Sequence, residues 1–221
     1  MRSLYLVRHG DTDATWERRY EGRGNSELNW IGLLQAESAA ESIILDACRA
    51  AQSGTSTACA DSRGIAAVYS SPSRRALDTA RLIGGRVGLV PVIMQGLAEV
   101  DFGDWEGLTY DEILRRSPDL LERWVSDPLG TWPPGGESLL DVWRRTRSCL
   151  EKIISLHRSS SGTCPRDARG GVVLVSHGGP LRAILSFHER GDLSAFSSAS
   201  IVPGEVKAIS MGSLAESLSR G

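Results

Sequence analysis

No stretch of this 221-residue sequence approaches the ~18 uninterrupted apolar residues that suggest a membrane-spanning helix, and the opening residues lack the long apolar core of a secretory leader. The expectation is a soluble, cytoplasmic protein with no membrane partner. Net charge is small as well: 25 Lys and Arg against 27 Asp and Glu leave −2 at neutral pH. Without a basic field nucleic acid is not an expected partner, and affinity for an anion must come from a few local groups. Cysteine is sparse too. Cys48, Cys59, Cys149 and Cys164 show neither C-x-x-C spacing nor the density of a disulfide scaffold, so reduced thiols with no assigned chemistry are expected.

What is present is an alternation of short strands and helical patterns. Residues 3–7, 65–69 and 172–176 read as apolar or β-branched strands, with weaker candidates at 90–94 and 205–209. The clearest helix runs from about Glu137 to Leu156, where Leu139, Val142, Trp143, Thr146, Cys149, Leu150, Ile153 and Ile154 recur at helical spacing. A second covers Ser73 to Val87, and a third begins near Pro180, a residue suited to the first helical position. The predicted fold is a three-layer α/β/α sandwich with a mostly parallel central sheet, in one domain over 1–210. Residues 104–136, irregular and rich in aromatics, form a small helical cap inserted in it. Two Ser- and Gly-rich stretches, 50–64 and 159–171, read as surface insertions, and 211–221 as a flexible tail.

Two strands end in similar words: Leu4-Tyr5-Leu6-Val7 runs into Arg8-His9-Gly10, and Val172-Val173-Leu174-Val175 into Ser176-His177-Gly178-Gly179. The third strand is followed by Ser70-Ser71-Pro72-Ser73-Arg74-Arg75. In open α/β sheets ligands collect beyond the carboxyl ends of the strands, so these groups are expected at one edge, where arginines bind a compact anion and imidazole attacks it. A later loop, Glu99 to Gly107, clusters carboxylates able to donate a proton.

These motifs resemble those of the histidine phosphatase superfamily, in its phosphoglycerate-mutase-like branch, and the resemblance covers nearly the whole chain. It implies that His9 is the nucleophile that becomes phosphorylated. Arg8, Arg75 and His177 would hold the phosphoryl group, with Gly178 beside the substrate, and Glu99 would donate and accept the proton. Arg75 is preferred to Arg74 because the family places its arginine directly before a stretch like Ala76-Leu77-Asp78-Thr79-Ala80. Arg19, in Arg19-Tyr20-Glu21-Gly22, matches a substrate-side position. Asp11 stands where the family often has Glu, and Thr15 where it has a phosphate-touching Asn; Thr15 keeps a hydroxyl donor on a shorter side chain. Gly135-Gly136-Glu137-Ser138 matches a further family stretch, whose plainer reading is a turn and a helix start.

The implied activity is hydrolysis of a small phosphomonoester without metal or cofactor. Two histidines and a carboxylate can also make a metal triad, but Arg8 and Arg75 beside them would repel a cation. For the proton donor, Asp101, Asp104 and Glu106 compete with Glu99. The loop wording Asp101-Phe102-Gly103-Asp104-Trp105-Glu106-Gly107 and Pro133-Pro134-Gly135-Gly136-Glu137-Ser138 are similar to α-ribazole-5′-phosphate phosphatases of cobalamin biosynthesis. Broad-specificity phosphatases of sugar phosphates or phosphoglycerate share most of these features. A phosphoglycerate mutase is disfavoured because no additional basic cluster would retain a second phosphate. A catalytically silent phospho-ligand-binding module is the alternative of another class. Oligomeric state stays open, a homodimer included.

Overall fold

A computed structural model describes residues 2–52, 64–158 and 170–220. Among the described residues five strands form one sheet in the order β3-β2-β4-β1-β5. They are β1 (Ser3–Arg8), β2 (Ile65–Ser70), β3 (Val92–Ile93), β4 (Gly171–Ser176) and β5 (Val206–Ser210). The first four run parallel and β5 pairs antiparallel with β1 at one edge. In β1 and β4 almost every residue is apolar and buried, as expected for central strands covered on both faces. The 90–94 candidate contracts to two half-exposed residues at the opposite edge.

Period-two alternation divides the core between the two faces of the sheet. Leu4, Leu6, Val172 and Leu174 face α6 (Leu139–Arg158), α7 (Gly178–Arg190) and α8 (Met211–Arg220). Tyr5, Val7, Val173 and Val175 face α2 (Trp30–Gln52) and α3 (Arg74–Val87). The result is the expected α/β/α layering. A short α1 (Asp13–Trp16) follows β1. Helix α3 ends at Gly88 and α7 at Gly191, both with φ in the left-handed region that a C-terminal helix cap requires.

Three expectations change. The tail 211–221 is not flexible along its length: Met211, Leu214 and Leu218, spaced for one helical face, make α8 and are buried in the main core. Helix α7 begins at Gly178, two residues before Pro180, with His177 as its N-cap. α6 begins at Leu139 and continues to Arg158, and Ser138 receives the backbone N–H of Asp141 at its start. The stretches 50–64 and 159–171 fall largely outside the described residues.

In the 104–136 region, α4 (Tyr110–Arg116) starts from a reciprocal capping box between Thr109 and Glu112, and α5 (Pro118–Ser126) follows directly. Trp105, Ile113 and Leu121 form a separate buried cluster there, with Tyr20, Phe102 and Trp124 packed against it. The aromatic contacts are edge-to-face, Trp105 to Trp124 at 5.5 Å and Tyr20 to Phe102 at 5.1 Å. Tyr20 ties this unit to the first loop through backbone bonds with Leu108 and Gly107.

Candidate active site

The pairing register brings the histidines together. Arg8 pairs with Ser176 across β1 and β4, so the next residues, His9 and His177, leave the sheet side by side, and the His9 N–H donates to Ser176 O at 3.0 Å. On the other side of β4, Ser70 pairs with Val175 and the Ser71 N–H donates to Val175 O at 3.0 Å. Three adjacent strand ends thus present Ser71, His177 and His9 in a row, all buried.

The His9 and His177 rings lie 5.0 Å apart at 62°. His9 Nδ1 sits 2.7 Å from Gly10 O, a carbonyl that only accepts, so Nδ1 carries the proton and the Nε2 lone pair is left for chemistry. Arg75 Nε–H donates to that nitrogen at 3.2 Å. Burial, then Arg75 and Arg8, hold His9 well below the usual imidazole range, so the ring stays neutral. The Gly10 turn is clamped between elements. Its N–H donates to Thr79 Oγ1, while its Cα lies so close to Gly32 at the start of α2 that a Cβ would come within 2.3 Å of Gly32 O. Only glycine fits that approach.

Arg75 is almost fully buried. Its terminal nitrogens donate to the carbonyls of Glu21, Gly22 and Gly24, and Glu21 Oε1 stands 3.2 Å away. These bonds leave Nε directed at His9. Arg8 donates from NH1 to Ile201 O at 2.9 Å, while its Nε is buried with no partner among the described residues. His177 Nδ1 is in the same condition. Two buried, unpartnered nitrogens beside the Arg75 guanidinium suit an oxygen-rich anion, since buried polar groups normally carry partners.

Glu99 reaches the same place from the loop after β3. Its Oε1 accepts from its neighbour Val100 N–H at 2.9 Å and from Gly179 N–H, in the first turn of α7, at 3.0 Å. A Cβ on Gly178 would lie 3.7 Å from both Glu99 Oε2 and Arg8 Cζ, so Gly178 is the bare backbone between these groups. Arg145 on α6 anchors the loop: it donates to the carbonyls of Gly96, Ala98 and Glu99 and forks onto both oxygens of Glu137 at 2.7 and 2.8 Å. The sequence by itself marks neither Arg145 nor Glu137 for this task. Arg145 reads in sequence as one of several charges on the outer face of α6, and only Glu137 within Gly135-Gly136-Glu137-Ser138 hints at a tether.

The competing carboxylates have other engagements. Glu106 accepts from the backbone N–H groups of Gly22, Arg23 and Phe102. Asp101 accepts from Gly103 N–H and lies 3.6 Å from Arg23 Nε. Asp104 is exposed. Thr15 shares its hydroxyl with Thr12, the N-cap of α1, at 2.9 Å. Arg19 is committed to Glu17, Gly107 O and Glu112, where it braces the first loop against α4 rather than joining the His9 cluster. Arg74 is exposed and paired with Glu27. Among the described residues no group of three or more His, Cys, Asp or Glu is arranged to hold a metal ion, and no helix is long and apolar enough to cross a membrane.

The sequence profile of the histidine phosphatase superfamily (branch 1) matches residues 4–218. The chain belongs to that superfamily. A bifunctional protein of Mycobacterium tuberculosis is 40% identical over 182 residues, which are 82% of this chain and 43% of that protein, so the chain spans less than half of that relative's length. Glucosyl-3-phosphoglycerate phosphatase of the same species is 35% identical over 184 residues, 83% of this chain and 73% of the relative. A solved mycobacterial glucosyl-3-phosphoglycerate phosphatase, in complex with VO3, superposes with a TM-score of 0.76 at 29% identity, covering 95% of this chain and 93% of that one. The α-ribazole phosphatase of Shigella flexneri shares the fold at 22% identity, with a TM-score of 0.72 and coverage of 94% and 90%.

Proposed function

We propose that this protein is a phosphomonoester hydrolase that works through a phosphohistidine on His9 Nε2, with Glu99 as proton donor and acceptor. The observation that carries the reading is the fixed tautomer of His9, whose unprotonated nitrogen faces the Arg75 guanidinium beside the buried, unpartnered nitrogens of Arg8 and His177.

In the first step the Nε2 lone pair forms a bond to phosphorus as the ester P–O bond breaks, and the departing oxygen takes a proton from Glu99. In the second, water attacks phosphorus and loses its proton to the Glu99 carboxylate, the P–N bond breaks, and inorganic phosphate leaves with His9 restored. Charge on the three equatorial oxygens is met by Arg8, Arg75 and His177, and preorganised donors of this kind typically contribute a factor of ~10²–10³ each. His9 acts as a neutral base held so by burial and by the arginines, which keeps it nucleophilic at neutral pH. The chemistry calls on no metal and no cofactor.

For the substrate, α-ribazole 5′-phosphate is supported by the loop wording and by a shared fold at 22% identity. Glucosyl-3-phosphoglycerate is supported by a relative at 35% identity that is named for it. We place small sugar and glycerate phosphomonoesters first on that ground and keep α-ribazole 5′-phosphate as the second candidate. Steady-state hydrolysis of a panel containing both, with 3-phosphoglycerate, phosphoserine and p-nitrophenyl phosphate, tests the reading in the presence of EDTA. Turnover that EDTA leaves intact and His9→Ala abolishes supports it. A chelator-sensitive activity, or none on any phosphomonoester, rejects it, and the latter points to a phospho-ligand-binding module.

A further inference from the structure

We propose that Ser71, assisted by Ser73, is a positioning residue that holds His177 in its Nδ1-protonated tautomer, so that Nδ1–H is the donor offered to a phosphoryl oxygen beside His9. The inference rests on the phosphohistidine reading and adds to it the group that decides which edge of the second histidine meets substrate.

Ser71 is fully buried, and its place is set by the strand register through the bond from its N–H to Val175 O. Its Oγ lies 2.7 Å from His177 Nε2, and Ser73 Oγ lies 3.2 Å from the same atom. Ser71 Oγ also accepts from Ser73 N–H at 3.4 Å. The two neutral tautomers of His177 leave different debts. If Nε2 accepts, the Ser71 hydroxyl donates to it and receives Ser73 N–H in turn, the half-buried Ser73 hydroxyl shares the same lone pair, and of the buried groups here only Nδ1–H is left without a partner among the described residues. If Nε2 carries the proton, the Ser71 hydroxyl hydrogen has no acceptor among its contacts in the described residues, and the buried Nδ1 presents a bare lone pair to the anion site. The second arrangement orphans two buried polar groups instead of one and sets a lone pair against phosphoryl oxygens.

Ser73 supplies an independent sign. It occupies the N-cap of α3, where a serine side chain ordinarily accepts a backbone N–H of the first turn, yet it makes no such cap bond and its hydroxyl lies against His177 instead. Burial and the charges of Arg75 and Arg8 keep the His177 ring neutral, so one nitrogen only can carry a proton.

The direct test is long-range ¹H–¹⁵N correlation spectroscopy of the ¹⁵N-labelled full chain at neutral pH, with His177 resonances assigned by their loss in His177→Asn. The expected result is a protonated Nδ1 and a pyridine-like Nε2 at His177; the reverse pattern overturns the inference without any variant having to fold. Ser71→Ala should let the proton distribute over both nitrogens and lower kcat/KM by about 10-fold. Ser71→Ala/Ser73→Ala should cost about 100-fold, within the range typical of lost outer-shell partners. Wild-type rates in the double variant, or an unchanged His177 tautomer in it, would overturn the inference. The two readings fail separately: the spectrum needs no turnover, so a wild-type protein with the expected tautomer but no phosphomonoesterase activity rejects the hydrolase and leaves the Ser71 assignment standing.

Discussion

The two halves of the site are held in different ways. The proposed phosphate cradle sits on strand ends: Ser71, His177 and His9 are fixed by backbone pairing of β2, β4 and β1, and a shift of one residue would turn each side chain to the other face. The proposed proton-handling half, residues 95–107 with Glu99, belongs to no strand among the described residues and hangs from side chains distant in sequence. Arg145 gathers three of its carbonyls, Glu137 fixes Arg145, Ser176 Oγ donates to Leu97 O, and Glu106 binds it to the 21–24 loop that also grips Arg75. On the proposed reading anion binding is built into the sheet, whereas proton transfer depends on a few replaceable tethers. Replacing His9 in the first half should abolish chemistry outright, and substitutions in the second should grade it.

The largest effect belongs to the cradle. His9→Ala should lower kcat by ~10⁴-fold or more, because it removes the proposed nucleophile; a variant within ~10-fold of wild type would remove the covalent route. Next comes the acid. Glu99→Gln should lose on the order of 10²–10⁴-fold on alkyl phosphates, whose leaving oxygen needs a proton, and much less on p-nitrophenyl phosphate in the step that releases phenolate. Equal losses on both substrates would mean that another group, or water, supplies the proton.

Arg145→Lys separates the halves most cleanly. Lysine keeps the charge near Glu137 but cannot serve two carboxylate oxygens and three carbonyls with a planar fork. Hydrolysis of alkyl phosphates should fall by about 10- to 100-fold through a misplaced Glu99, with inorganic phosphate inhibiting as in wild type. A parallel loss of phosphate affinity would show that the two halves are not separable.

The smallest effect is in stability. His9 and His177 are neutral in the fold because burial and nearby arginines depress them, while unfolded imidazoles titrate near ~6.5. Below that pH the unfolded chain binds more protons than the folded one, so stability falls as pH drops, with a slope that rises from near zero at pH 7.5 toward about 1.4 kcal/mol per pH unit for each histidine well below ~6.5. Thermal unfolding between pH 7.5 and 5.5 should show this slope, and His177→Asn should lessen it; an unchanged slope would mean that the ring is not held neutral.

The same division explains what could be read from sequence. Arg8-His9 and His177 were legible because each closes an apolar strand word, and register needs only local patterning. Helix α2 was not: its buried stripe is Ala36, Ala39, Ala40, Ile43 and Ala47, while Leu33, Leu34 and Leu45 lie exposed, so large apolar residues mark the wrong face. Helix α8 hid likewise among small polar residues that dilute Met211, Leu214 and Leu218. Arg145 looked like a solvent-side charge because nothing local tells a salt bridge to Glu137, eight residues away, from an idle one. Tethers between distant segments leave no periodic mark, which is why Glu99 had competitors among the carboxylates of its own loop.

The most direct test of the account is to mix enzyme with a phosphomonoester, quench under alkaline conditions that preserve phosphoramidates, and map the phosphate by mass spectrometry, using Glu99→Gln to slow water attack. Phosphate on His9, accumulating in Glu99→Gln and absent from His9→Ala, is the predicted result. Steady turnover with no phosphorylated His9 at any quench time, or phosphate on another residue, would contradict it.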